Sequence, residues 1–345
     1  MQVKILALAV MAAVAGSAWS QSSVTVFGIL DAAATSVKNG SAGSRKTLSS
    51  GQSNTSRLGF RGTEDLGGGL RAGFWIEGQV DVDTGGTSID WQRRSTISLT
   101  GAFGEIRIGR DQNPTYIDWG SHDLFGYVGV ATTSTLRGSF LSLGGATTGV
   151  RTSNTIAYFL PAVGGLYGHF MVGAGEGTTG NKYIGGRLGY KAGPFDVSGS
   201  TGKTYKTGTM LDDLSTTSFG GSYDFGFASV EAGWEKADYL ALDRTLITVG
   251  ARIPVGQALR VKIAYTKSSG TGAVATPQQY DATLYSLGLE YRLSPRTLLY
   301  SNFGTINNGG NSTTGSSFTA SSNGPAGIKR GETSSGYQFG LRHNF

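Results

Sequence analysis

The chain contains three histidines, His122, His169 and His343, many serines and no cysteine. Thiol nucleophiles and thiolate metal sites are excluded at once. Neither HExxH nor G-x-S-x-G occurs, so the usual zinc-hydrolase and serine-hydrolase spacings are missing too. Gly173-Ala174-Gly175-Glu176-Gly177 is glycine-rich but lacks the lysine that a phosphate loop needs. Asp81-Val82-Asp83-Thr84-Gly85 follows a calcium loop only in its first three positions. A loop-bound Ca2+ there is the one cofactor expectation. What remains is charge: the formal net is +6, and removing a leader with Lys4 lowers it by one. An excess this small, spread along the chain, does not point to nucleic acid. It suits a water-filled passage that prefers anions.

Residues that only recognise charge must be positioned by a scaffold, and the scaffold is legible as alternation. In Leu259–Lys267, Leu259, Val261, Ile263 and Tyr265 oppose Arg260, Lys262, Ala264 and Thr266. Thr245, Ile247, Val249, Ala251 and Ile253 oppose Leu246, Thr248, Gly250 and Arg252. Such a period of two is a strand with one apolar face. Sixteen segments follow: 24–35, 56–65, 70–81, 92–100, 104–110, 151–160, 166–175, 182–191, 195–204, 215–224, 227–237, 243–253, 258–268, 281–293, 297–306 and 333–345. Alternation alone would also fit a soluble β-sandwich. The connections separate the two. Tight joins such as Gly67-Gly68-Gly69 and Ala192-Gly193-Pro194 alternate with longer Gly/Ser/Thr/Asn-rich joins such as 36–55, 82–91 and 307–332. Short turns on one side and long loops on the other mark an outer-membrane barrel.

Both ends agree. Residues 1–20 form a basic start, the apolar run Ile5–Ala15 and a small-residue site, the layout of a secretory signal peptide. Cleavage is expected between Ser20 and Gln21, leaving 21–345 as one barrel domain. The last strand carries Tyr337, Phe339, Leu341, His343 and Phe345 on one face and runs to the final residue. A strand that must close a barrel has to stay ordered to its end.

Ser56-Arg57-Leu58-Gly59-Phe60-Arg61-Gly62-Thr63-Glu64-Asp65-Leu66-Gly67-Gly68-Gly69-Leu70 resembles the second strand and first turn of Gram-negative general porins. Ser23–Asp31 resembles their first strand, and Phe103–Arg110 the strand that enters their third loop. The closest flavour is the β-proteobacterial group. The resemblance implies an all-β fold, a 16-stranded antiparallel transmembrane β-barrel with an inward-folded third loop, here Asp111–Val150, and three barrels per trimer. It implies a multi-pass protein of the Gram-negative outer membrane, surrounded by lipid and passing small hydrophilic solutes and anions. It also implies a basic wall at a pore constriction: Arg57, Arg151 and either Arg94, which has inward parity, or Arg93, whose spacing to the next turn fits better. Arg107 and Arg187 are further candidates. Family acids on the third loop face that wall; Asp118 and Asp123 are the candidates here, although the enteric PEFGG element is absent. Phe345 matches the family's assembly signal. The alternatives are a substrate-selective anion or organic-acid porin and an outer-membrane barrel enzyme.

Overall fold

The computed structural model describes residues 23–86, 89–272, 280–310, 313 and 315–345. The leader 1–20 and its cleavage site lie outside the described residues. The strands are β1 (Ser23–Asn39), β2 (Ser44–Ser50), β3 (Arg57–Gly67), β4 (Leu70–Gln79), β5 (Arg94–Gly101), β6 (Gly104–Gln112), β7 (Arg151–Phe159), β8 (Leu166–Gly173) and β9 (Tyr183–Ala192). They continue as β10 (Phe195–Thr204), β11 (Leu214–Asp224), β12 (Ser229–Tyr239), β13 (Leu242–Val255), β14 (Leu259–Thr271), β15 (Ala282–Arg292), β16 (Thr297–Asn308) and β17 (Thr333–Asn344). Two helices, α1 (Pro114–Gly120) and α2 (Ser134–Leu141), lie between β6 and β7.

All pairings are antiparallel and, apart from β1 with β3 and the closing seam, join chain neighbours; β1 closes onto β17 in the register Ile29↔Asn344 to Asn39↔Ser334. The final residue takes part: Phe345 and Gly28 exchange both backbone hydrogen bonds at 3.0 Å. A backbone group left unpaired in hydrocarbon costs several kcal/mol, so closure is what makes a spanning sheet stable. β2 and β3 act as one interrupted strand. β2 pairs with the far half of β1, Ala32–Lys38, and β3 with the near half, Ser23–Ile29. The barrel therefore has sixteen antiparallel strands. The stretch 36–55 was expected as a loop; instead β1 runs on to Asn39 and β2 returns beside it, because alternating Ser, Thr and Lys residues pair as readily above the membrane as apolar ones within it.

The interruption at 51–56 is stitched by one buried carboxylate. Asp31 accepts the backbone N–H of Ser53 at 2.8 Å and of Asn54 at 2.7 Å, and the hydroxyl of Tyr300 from β16. Ser56 Oγ accepts from the Asp31 N–H at 3.0 Å. The short-turn side is simpler. Gly67, Gly68 and Gly69 all have positive φ, which explains the glycine run at the first turn.

Facial sorting follows the expected parity. Ile97, Ile156, Phe219 and Phe339 point outwards and are 59–61% exposed, and the outward row of β17 is Tyr337, Phe339 and Leu341. Charged and hydroxyl side chains occupy the opposite face. Exposed apolar and buried polar is the inverse of a soluble sandwich and the arrangement of a lipid-facing barrel.

Asp31→Ala leaves two backbone donors and a phenol without their acceptor, and is expected to cost about 2–4 kcal/mol. Heat-modifiability on gels should show unfolding at a lower temperature; an unchanged transition would show that the stitch carries no stability.

Candidate functional site

The segment between β6 and β7 packs on the polar inner face of the far wall. Asn113 opens α1 by accepting the Tyr116 N–H at 2.7 Å, with Pro114 at the first helical position. Three apolar patches fasten the segment. Phe140 and Leu141 pack with Met210, Leu214, Tyr239 and Leu242. Trp119 and Leu136 pack with Leu246, Leu284 and Ile306. Leu124 and Phe125 meet Ala264. Between them sits an ion triad without solvent access. Glu235 accepts from Arg137 Nε at 2.7 Å and from Arg244 Nη2 at 2.6 Å; the Glu235 and Arg244 side chains are 0% exposed. Arg244 also donates to the Leu136 and Arg137 carbonyls at 2.8 and 3.0 Å, so its remaining charge is solvated by the helix it holds.

The loop acids are consumed in the same fastening. Asp118 accepts from Arg187 Nε at 3.0 Å and from Ser218 Oγ at 2.6 Å, and is fully buried. Asp123 accepts from the Phe125 and Thr133 N–H groups and from the Thr132 and Thr133 hydroxyls, at 2.7–3.0 Å. Neither presents a free carboxylate towards the opposite wall, in contrast to the role expected from the sequence. Arg187 is likewise held as the partner of Asp118. Burial pushes the His122 imidazole below its ordinary value, and Asp118 beside it opposes that shift only in part. Asp118 and Asp123 are therefore both fully engaged.

The near wall is different. Arg57 of β3, Arg93 ahead of β5 and Arg151 of β7 come together and repel one another electrostatically. Among the described residues one carboxylate lies among them: Glu77 of β4, 2.7 Å from Arg93 Nε and 3.4 Å from Arg57 Nη1. Arg57 also donates to the Asn54 side chain, and Arg151 Nε to the Arg93 carbonyl at 2.7 Å. Arg93 and Arg94 differ in their neighbours. Arg93 joins Arg57 and Arg151, while Arg94 lies over Trp75 and 3.6 Å from Asp111. Arg107 is held by Glu105 and Asp111 at 2.9 and 2.7 Å.

The loop group within electrostatic reach of Arg57, Arg93 and Arg151 is the phenol of Tyr116, not an acid. Tyr116 and Arg151 border one cavity of about 250 Å³, and the Tyr116 ring stacks on Tyr127 at 4.3 Å. The sequence signal that could have placed Tyr116 is the Asn113-Pro114 helix start, three residues upstream. Among the described residues no group of three or more His, Cys, Asp or Glu side chains is placed to hold a metal ion.

The family model for Gram-negative porins matches residues 7–311. The chain belongs to this porin family. It is 37% identical to outer membrane porin protein 32 of Delftia acidovorans over the whole of both chains. An outer membrane porin of Bordetella pertussis is 27% identical over 87% of this chain and 93% of its own. The solved anion-selective porin from Comamonas acidovorans superposes with a TM-score of 0.82 at 33% identity, covering 94% of this chain and all of its own. As a porin the protein is a passive channel of the outer membrane and not an enzyme. Of the histidines, His169 stacks on Phe159 at 4.5 Å, His343 pairs with Thr297 at 2.9 Å on the outer face, and His122 lies 3.4 Å from Ser198 Oγ.

Removing one charge from a buried pair costs about 3–5 kcal/mol. Glu235→Gln should therefore loosen α2 from the wall and produce a larger, noisier single-channel conductance. Wild-type conductance and noise would show that the apolar patches hold the segment unaided.

Proposed function

We propose that this porin passes small hydrophilic solutes with a preference for anions, through a constriction formed between the Asp111–Val150 loop and the Arg57, Arg93 and Arg151 wall. The observation that carries this reading is the charge imbalance across the gap. Three guanidiniums share one carboxylate, and the loop facing them offers a neutral phenol while Asp118 and Asp123 are bonded elsewhere. Two unit charges 4 Å apart interact by ~1 kcal/mol in water and ~4 kcal/mol near a protein wall. Charges at the rims lie beyond a Debye length of ~8–10 Å and are largely screened. The unbalanced arginines therefore dominate the field that an ion meets at the narrowest point. The anion selectivity of the Comamonas acidovorans porin supports the same reading. Replacing Arg57 and Arg151 together by Glu should lower anion-over-cation permeability by about thirty-fold or more, at ~1 kcal/mol or more for each of the two reversals. The zero-current potential in a KCl gradient reads this directly. A potential that stays anion-selective would place selectivity elsewhere.

We further propose a route of export and assembly. Residues 1–20 act as the cleaved leader and 21–345 as the barrel. Three copies associate through the apolar outer faces of β1 and β17, where Val24, Val26, Leu30 and Phe339 are exposed. Lipid covers the rest of the apolar band. Phe345 serves as the insertion signal as well as a closing residue. Its deletion should reduce the amount of porin in the outer membrane several-fold while the pores that assemble keep wild-type conductance. Undiminished insertion would refute the signal role.

A further inference from the structure

On the short-turn side of the Arg57–Arg93–Arg151 group the inner face carries a second basic cluster of different character. Arg61 of β3 lies 5.2 Å from the ring centroids of both Phe27 and Trp75. Arg94 lies 4.4 Å from Trp75, and Phe27 meets Trp75 edge to face at 4.7 Å. Arg107 completes the row, 3.9 Å over Phe159. Arg61, Trp75, Arg94, Ser98, Glu105 and Arg107 border one cavity of about 410 Å³. That is large enough for a small organic molecule.

The donors are unequally committed. Arg107 spends Nε and Nη2 on Glu105 and Nη1 on Asp111. Arg94 uses Nε on Thr96 Oγ1 at 3.1 Å. Among the described residues Arg61 has no carboxylate within ion-pair distance. Arg61, Arg94 and Arg107 set against Glu105 and Asp111 leave one uncompensated positive charge, which matches a monoanion. A guanidinium held face-on to a ring keeps its N–H edge in the plane beside it, the geometry that receives a planar carboxylate. Trp75 is only partly covered and borders this space, and Phe27 backs both Trp75 and the Arg61 guanidinium.

We propose that the cavity bounded by Arg61, Trp75 and Arg94 is a subsite for aromatic monocarboxylates in transit through the pore. This rests on the channel reading above and adds a solute class to it. The carboxylate sits on the free edges of Arg61 and Arg94 while its ring lies against the guanidinium–aromatic stack. An aliphatic carboxylate gains only the charge. Binding here is weak enough to release and raises the local solute concentration beside the constriction.

The test uses the full-length porin in planar bilayers at neutral pH, with sodium benzoate, sodium acetate and benzyl alcohol as probes of the chloride current. Benzoate should block saturably, with a half-blocking concentration about five-fold or more below that of acetate, while benzyl alcohol leaves the current unchanged. Arg61→Gln should raise the benzoate value about five-fold, and Phe27→Leu, which removes a ring without touching a charge, about two-fold. Equal block by benzoate and acetate, or a benzoate block indifferent to both variants, overturns the subsite. The zero-current potential of the unmodified porin is read in parallel. Loss of anion preference with benzoate block intact overturns the selectivity reading alone, and the converse overturns the subsite alone.

Discussion

Backbone hydrogen bonding in a medium without water is the constraint on which everything else in this molecule depends. Each N–H and C=O within the bilayer needs a protein partner, and a sheet meets that demand only by closing on itself. The seam between β1 and β17, down to the reciprocal bonds of Gly28 and Phe345, is therefore the condition for the other pairings. Closure also fixes the meaning of parity. Once the sheet is a tube, one face of every strand meets lipid and the other meets the lumen. Arg57, Trp75 and Arg151 share a space because each lies on the inner parity of its own strand.

The lumen is then divided unequally. On the β10–β17 side the loop is bound by apolar patches and by the Arg137–Glu235–Arg244 triad. Burying such a triad is not a cheap route to stability, since desolvation offsets much of the Coulomb attraction. Its evident result is orientation. Arg244 bonds two carbonyls of α2, so the helix sits in one register against the wall. The acids Asp118 and Asp123 of the loop are drawn into the same fastening.

That wall carries arginines in two surroundings. Arg57, Arg93 and Arg151 share Glu77 and repel one another, which suits a field acting on any small anion. Arg61, Arg94 and Arg107 lie on aromatic rings, where shape as well as charge can act. The same side chain thus meets two kinds of neighbour, another guanidinium or an aromatic ring.

Much of this could be read from the chain alone, because it is local. Alternation, turn glycines and loop lengths are set by residues within a few positions of one another, so strand number, facing and the outer-membrane class follow from the sequence. The inward parity of Arg57, Arg94 and Arg151 was legible for the same reason. The strand Ser44–Ser50 was missed because polar alternation resembles a loop when its partner strand is unknown. Partner choice is non-local. Arg93 and Arg94 are adjacent in sequence, yet one joins Arg57 and the other joins Asp111, because strand register decides which carboxylate each can reach. Asp118 and Asp123 looked free in the sequence; docking of the loop gave them Arg187, Ser218 and the Thr132–Thr133 hydroxyls, and brought Tyr116 towards the arginines instead. The sequence determined which side chains enter the lumen, since that depends on a period of two. Only the closed tertiary structure decided which of their charges remain unpaired, since that depends on contacts between residues far apart in the chain.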